Sequence, residues 1–264
     1  MHIVYKPARD QARQSGKTTA RSGDYPGRYP IVDAARGTAI ALMFVYHFIF
    51  DLRYYNVVAI DFNHDPFWLG LRTLIVSLFL GVAGISLHLA TANGLNQRTF
   101  VRRLLQVAGC AALVSLASYM MFPGSMIFFG ILHFIAAASV LGLLFYRLFW
   151  VNLALGVGLI VFGLTFQHTW FDQPGWQWIG LMTHKPMTED YVPLIPWFGV
   201  VLLGLFMGKL IFPRSPGKTV PRFTQWQEKN RFSRLLAFGG RHSLPIYMLH
   251  QPVFFAVLYL ILGK

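Results

Sequence analysis

Seven apolar stretches, each close to the length a helix needs to cross a bilayer, leave this chain few folds to choose from. They run Ile31–Leu52, Phe67–Thr91, Val101–Phe122, Ser125–Leu148, Trp150–Phe166, Leu194–Phe212 and His242–Leu262. A helix crosses a hydrocarbon core of roughly 30 Å in about 20 residues. In lipid every backbone N–H and C=O has to be satisfied within the protein, which restricts spanning segments to helices and closed barrels. The lengths predict an all-α fold: a polytopic integral membrane protein of about seven transmembrane helices, the fifth being the shortest. The charged fraction agrees. It is 12%, against about 25% in soluble domains, with 55% hydrophobic residues and a mean hydropathy of +0.49.

The net charge of +13 would suit a nucleic-acid binder, but its distribution excludes that reading. With a cytoplasmic N-terminus, every Lys and Arg except Arg53, Arg72, Lys185 and Lys264 falls on the cytoplasmic side. That is the positive-inside pattern, and it sets the expected orientation in the plasma membrane, with anionic lipid as partner. Residues 1–24 are basic and rich in Ser, Thr and Gly, so they are expected to form a disordered cytoplasmic tail with no signal-peptide core. Residues 25–264 form one membrane domain. The lone Cys110 rules out an intramolecular disulfide.

The first span carries ionisable residues that cost roughly 2.5–3.5 kcal/mol each at a bilayer centre on insertion scales. Arg36, Ile40, Met43, His47 and Asp51 share one helical face, with Asp33 one turn below Arg36. Such a stripe should face a wet cavity or the protein interior. His47 lies roughly 24 Å above the start of the helix, in the outer half of the core. Asp51 at i+4 could orient its imidazole as a general base; the alternative is a packing histidine beside an interfacial acid. Arg36 with Gly37 sits at the cytoplasmic mouth, where guanidinium suits a phosphate-bearing cofactor, or else pairs with Asp33.

Other candidates are scattered. His64 lies in the first outer loop, His88 near the inner end of the second span, His133 in the fourth and His250 in the last. Arg72 can reach the interface or pair with Asp51 across a cavity. No two histidines have metal-ligand spacing, and no metal is expected. Ser77, Gly81, Gly84 and His88 share a face, as do Gly204 and Gly208, which suggests close helix packing. Trp170, Trp176 and Trp178 in the outer loop are interfacial anchors or a stacking platform for a sugar.

Five blocks carry a resemblance: VDAARGTAIALMFVYHFIFDL, FLGVAGISLHLA, FFGILHFIAAASVLG, DYVPLIPWFGVVLLGLFMGK and GRHSLPIYMLHQP. Together they resemble the bacterial membrane family related to the catalytic domain of heparan-α-glucosaminide N-acetyltransferase. The resemblance implies acyl transfer across the membrane, from cytoplasmic acetyl-CoA to an amine or hydroxyl of an extracytoplasmic sugar or glycan. It makes His47 the catalytic base or acyl acceptor, with His64 as competitor because the lysosomal enzymes hold Asn at the place of His47. It places His250 in the second motif and Arg36 near the CoA phosphates. The expected cofactor-binding set is thus Arg36, Gly37, Arg72, His133 and His250, with Arg98, Arg102 and Arg103 as helpers; a homodimer is compatible with it. The rival from another class is a proton-coupled transporter or exporter of a small polar solute, since intramembrane His and Asp also build proton relays.

Overall fold

The computed structural model describes residues 29–92, 94–213 and 221–263; the basic tail at 1–24 lies outside them. The chain is all-helical: α1 Pro30–Tyr54, α2 Pro66–Ala92, α3 Gln97–Met121, α4 Ile131–Phe145, α5 Trp150–Thr165, α6 Leu194–Ile211, α7 Arg231–Arg241 and α8 Ser243–Leu262. Each expected span corresponds to a helix. Helices α1, α2, α3, α6 and α8 are long and apolar enough to cross a membrane, whereas α4 and α5 are shorter apolar helices. Exposed side chains such as Leu105, Leu113, Leu116, Leu164 and Leu260 cover the outward faces of α3, α5 and α8. Contiguous apolar surface of this kind marks contact with lipid in a chain of this composition.

Two boundaries differ from expectation. The fourth helix starts at Ile131 rather than Ser125. Pro123–Ser125 turns as a 3-10 helix, and Gly130 is extended as the N-cap of α4. The strip between them pairs instead with the approach to α6: the Glu189 N–H donates to the Ser125 carbonyl, and the Val192 N–H to Phe129. The third helix starts early at Gln97, because Asn96 caps it by accepting the Thr99 N–H at 3.0 Å. Arg98, Arg102 and Arg103 therefore stand on α3 rather than in a loop.

Close approaches at glycine hold the bundle together. A Cβ on Gly84 would strike the Val201 carbonyl of α6, and one on Gly204 would strike Gly81 of α2. The expected packing stripes thus meet each other, and the main core closes around Leu80, Phe134, Leu202 and Leu205. A second crossing was not foreseen. Helix α7 lies antiparallel against the first turns of α1, with Gly37 against the Leu236 carbonyl and Gly240 against the Asp33 carbonyl. Arg36 ties this corner. Its Nη1 donates to Asp33 Oδ1 at 3.2 Å and to the Gly240 carbonyl at 3.3 Å, and its Nη2 donates to Ser86 Oγ of α2 at 2.6 Å. Helix α7 then passes through His242 directly into α8.

Candidate active site

The seam between α1 and α8 brings together residues that lie about 200 positions apart. Both helices present one polar turn: His47 and Asp51 on α1, His250 and Gln251 on α8. The His47 and His250 rings meet edge to face with centroids 5.0 Å apart. Gln251 Nε2 donates to Asp51 Oδ1 at 3.1 Å. Asp51 is fully buried and His250 is 6% exposed. Phe44 stacks on His250 at 5.7 Å, and Phe254 closes the other side.

Four buried polar atoms in this seam have no hydrogen-bond partner among the described residues: His47 Nδ1, Asp51 Oδ2, His250 Nε2 and Gln251 Oε1. Leaving one such atom unsatisfied costs about 1–3 kcal/mol, and four beside one another are conspicuous in a bundle whose other buried polar groups are mostly paired. Three of the four are acceptors. The Nδ1–H of His250 donates to the Tyr247 carbonyl, so Nε2 keeps the lone pair. Gln251 uses its amide N–H on Asp51 and turns its oxygen inward. The seam is thus rich in acceptors and short of donors.

The expected support of His47 by Asp51 is not built. Asp51 takes Gln251 as its partner, and His47 Nδ1 is unpaired, because both α1 side chains face α8 and α8 supplies a neighbour to each. Nor does Arg72 pair with Asp51. It lies near the Tyr46 hydroxyl and Lys185. Gly37 receives α7, as described above. His133 joins α3 to α4: its Nδ1 accepts the Gly130 N–H at 3.3 Å, and its Nε2 lies 3.0 Å from Ser115 Oγ. His88 Nε2 lies 3.2 Å from the Phe212 carbonyl and so holds α2 to the end of α6. His64 is exposed and pairs with Asp61 of its own loop at 2.8 Å. The Asn63 backbone N–H in turn holds the Asp61 carboxyl below its usual range.

A second polar group underlies the loop between α5 and α6. Asp190 Oδ2 accepts the Ile131 N–H at 2.8 Å and the Tyr247 hydroxyl at 3.4 Å. Burial pushes the Asp190 carboxyl up, outweighing those two hydrogen bonds, and burial together with nearby Arg72 lowers the Lys185 ammonium. Tyr247 is thereby fixed at both ends, its hydroxyl by the loop and its carbonyl by His250. Neither Tyr247, Gln251 nor Asp190 was singled out from the sequence. Tyr247 and Gln251 lie in the GRHSLPIYMLHQP block on either side of His250, and Asp190 opens the DYVPLIPWFGVV run, so the signal was their place inside those blocks.

The model of the family described as heparan-α-glucosaminide N-acetyltransferase, catalytic, matches residues 28–252. The chain belongs to that family. No curated protein and no solved structure matches it. The family is one of membrane acetyltransferases, and this heparan-α-glucosaminide N-acetyltransferase-like chain has the apolar helices to suit. The matched region opens just before α1 and closes at Pro252, so it includes both halves of the seam.

Proposed function

We propose that this protein transfers an acetyl or other acyl group from acyl-CoA on the cytoplasmic side to an amine of an extracytoplasmic sugar, with the seam between α1 and α8 as the reacting centre. The observation that carries the proposal is a set of buried acceptor atoms without a partner among the described residues, Asp51 Oδ2, His250 Nε2 and Gln251 Oε1, with His47 Nδ1 beside them. An amine brings N–H donors to such a set, whereas a hydroxyl brings one. As the amine nitrogen attacks the thioester carbon, His250 Nε2 takes the proton that the amine loses. The C–S bond breaks, and the CoA thiolate leaves and collects that proton from His250 Nε2. His47 faces the same nitrogen from α1, as a second base or as a transient acyl acceptor. Asp51 and Gln251 hold the cationic character that develops. Arg36 acts here as a positioning residue that keeps α1, α2 and α7 together at the inner mouth. The N-terminus is cytoplasmic in this scheme, so donor and acceptor enter from opposite faces.

The test is acetyl-CoA binding by the purified protein, followed by transfer to a panel of amino sugars. Replacing His47 or His250 by Ala should lower transfer about 10²- to 10⁴-fold, the usual contribution of an acid–base group. His64→Ala should transfer like wild type. Absence of acetyl-CoA affinity would overturn the proposal and favour proton-coupled transport through the same histidine pair. Full activity in His47→Ala with loss in His64→Ala would move the chemistry to the outer loop.

A further inference from the structure

Among the described residues, a cavity outside the seam is large enough to hold a ligand. It lies between the turn at Arg222–Gln225 and helix α7, measures about 750 Å³, and is lined by Arg222, Phe223, Trp226, Lys229, Phe232 and Leu236. Ligand sites commonly enclose about 300–1,000 Å³ and combine aromatic walls with a few placed polar groups. Here the walls include three aromatic rings, and the polar lining is two cations with Gln227, Asn230 and Ser233.

Those cations are not neutralised locally. Glu228 is the only acid between Phe212 and Lys264, and Arg241 engages it at 2.6 Å. Arg222 and Lys229 have no carboxylate partner among the described residues. The N-terminus of α7 opens on the same cavity through Asn230 and Ser233 and adds the positive end of a helix dipole. Flat aromatic faces beside unneutralised cations and a helix N-terminus match one kind of ligand: a purine nucleoside carrying phosphates.

We infer that the cavity between the Arg222–Gln225 turn and α7 seats the phosphorylated nucleoside end of the acyl donor, its base against Phe223 and Trp226 and its phosphates on Arg222 and Lys229. The inference rests on the acyltransferase reading and gives it a donor entrance. Reach supports it. Leu236 lines the cavity and abuts Gly37 of α1. His47 stands ten residues farther along α1, roughly 15 Å at the helical rise. A phosphopantetheine arm of about twelve bonds, equivalent to about four extended residues, spans roughly 14 Å. A nucleotide held here therefore places its thioester at the level of the histidine pair.

The experiment measures binding of CoA and of adenosine 3′,5′-bisphosphate to the full-length protein in nanodiscs of zwitterionic lipid, for wild type and for Arg222→Ala, Lys229→Ala and Phe223→Ala. Each charge loss should weaken CoA at least about tenfold, the scale of a hydrogen bond to a charged group. Arg222→Lys should recover part of it, and the bisphosphate should displace CoA from wild type. Both cations are exposed, so the variants should melt with wild type. Unchanged CoA affinity in all three alanine variants would overturn the inference while leaving the acyltransferase reading intact. In a parallel measurement with phosphatidylglycerol vesicles, loss of lipid binding in the variants with CoA affinity unchanged would overturn it in favour of a lipid headgroup. Absence of CoA binding in wild type would overturn both readings together.

Discussion

The carbonyl oxygen of Tyr247 decides which nitrogen of His250 can act as a base. It takes the Nδ1 proton and leaves the Nε2 lone pair in the seam. The Tyr247 hydroxyl is held in turn by Asp190, so a loop carboxyl bears on the geometry of an imidazole it does not touch. Asp190 gives a pH test of this arrangement. Its folded pKa is raised by burial, so the folded state binds the proton more tightly than the unfolded chain. Stability is then greatest below the ordinary carboxylate range and falls as pH rises through the raised value. Thermal melts across acidic to neutral pH should show this falling limb in wild type and lose it in Asp190→Asn; a slope retained by the variant would assign it to another group. The polar stripe itself was legible from residue spacing, because i,i+3 and i,i+4 neighbours share a face whatever the tertiary fold. The spacing offered the Asp33–Arg36 pair as one of two readings of Arg36, and the structure forms it. It could not give the partner of Asp51, because a same-face acid at i+4 and an amide on a helix 200 residues later compete for one carboxylate, and only packing decides between them.

At the scale of elements, the lengths of apolar runs located every long helix, since bilayer thickness sets them and little else intervenes. The start of α4 escaped because an apolar strip need not be helical. Residues 126–130 satisfy their backbone partly by pairing with the chain before α6, which no local periodicity reveals. Helix α7 lies in the basic stretch between the last two expected spans. Its burial of Ser233, Ala237 and Gly240, with Phe232, Leu235 and Phe238 outward, shows that its small face is the packed one. The contact with α1 leaves no room for side chains at Gly37 or Gly240. Gly37→Leu should cost about 1–3 kcal/mol or more through overpacking, seen as a lower melting temperature and reduced acyl transfer, because α7 leads straight into α8. Gly109→Ala on α3 is the control: a Cβ there meets nothing within 4 Å, and the melting temperature should hold. Equal melting of the two variants would remove α7 from the stabilising framework.

For the whole molecule, charge placement and fold agree on which ends are wet. The chain between α6 and α8 carries five of the thirteen arginines beyond the tail, and the opposite end carries the loop built on Asp172. That carboxyl accepts the Thr183 N–H and hydroxyl, both at 2.8 Å, and the Thr183 backbone N–H holds its pKa down. Cysteines introduced at Thr183 and Lys229 should be labelled by an impermeant maleimide from opposite faces of sealed membranes, Thr183→Cys from outside. Labelling of both from one face would invert or refute the topology. The separation of Asp51 from Gln251 also bears on how the protein is made. Synthesis at about 5–20 residues per second puts roughly 10–40 s between the two residues. Throughout that interval α1, the least apolar of the five long helices with a hydropathy of 1.3, must sit in or beside the insertion channel with its carboxylate and imidazole unmatched. Nascent chains halted after α6 should therefore hold α1 less firmly in the bilayer than chains that include α8, as read by carbonate extraction or glycosylation mapping, and α1 becomes the segment whose entry into lipid depends on the helix that arrives last.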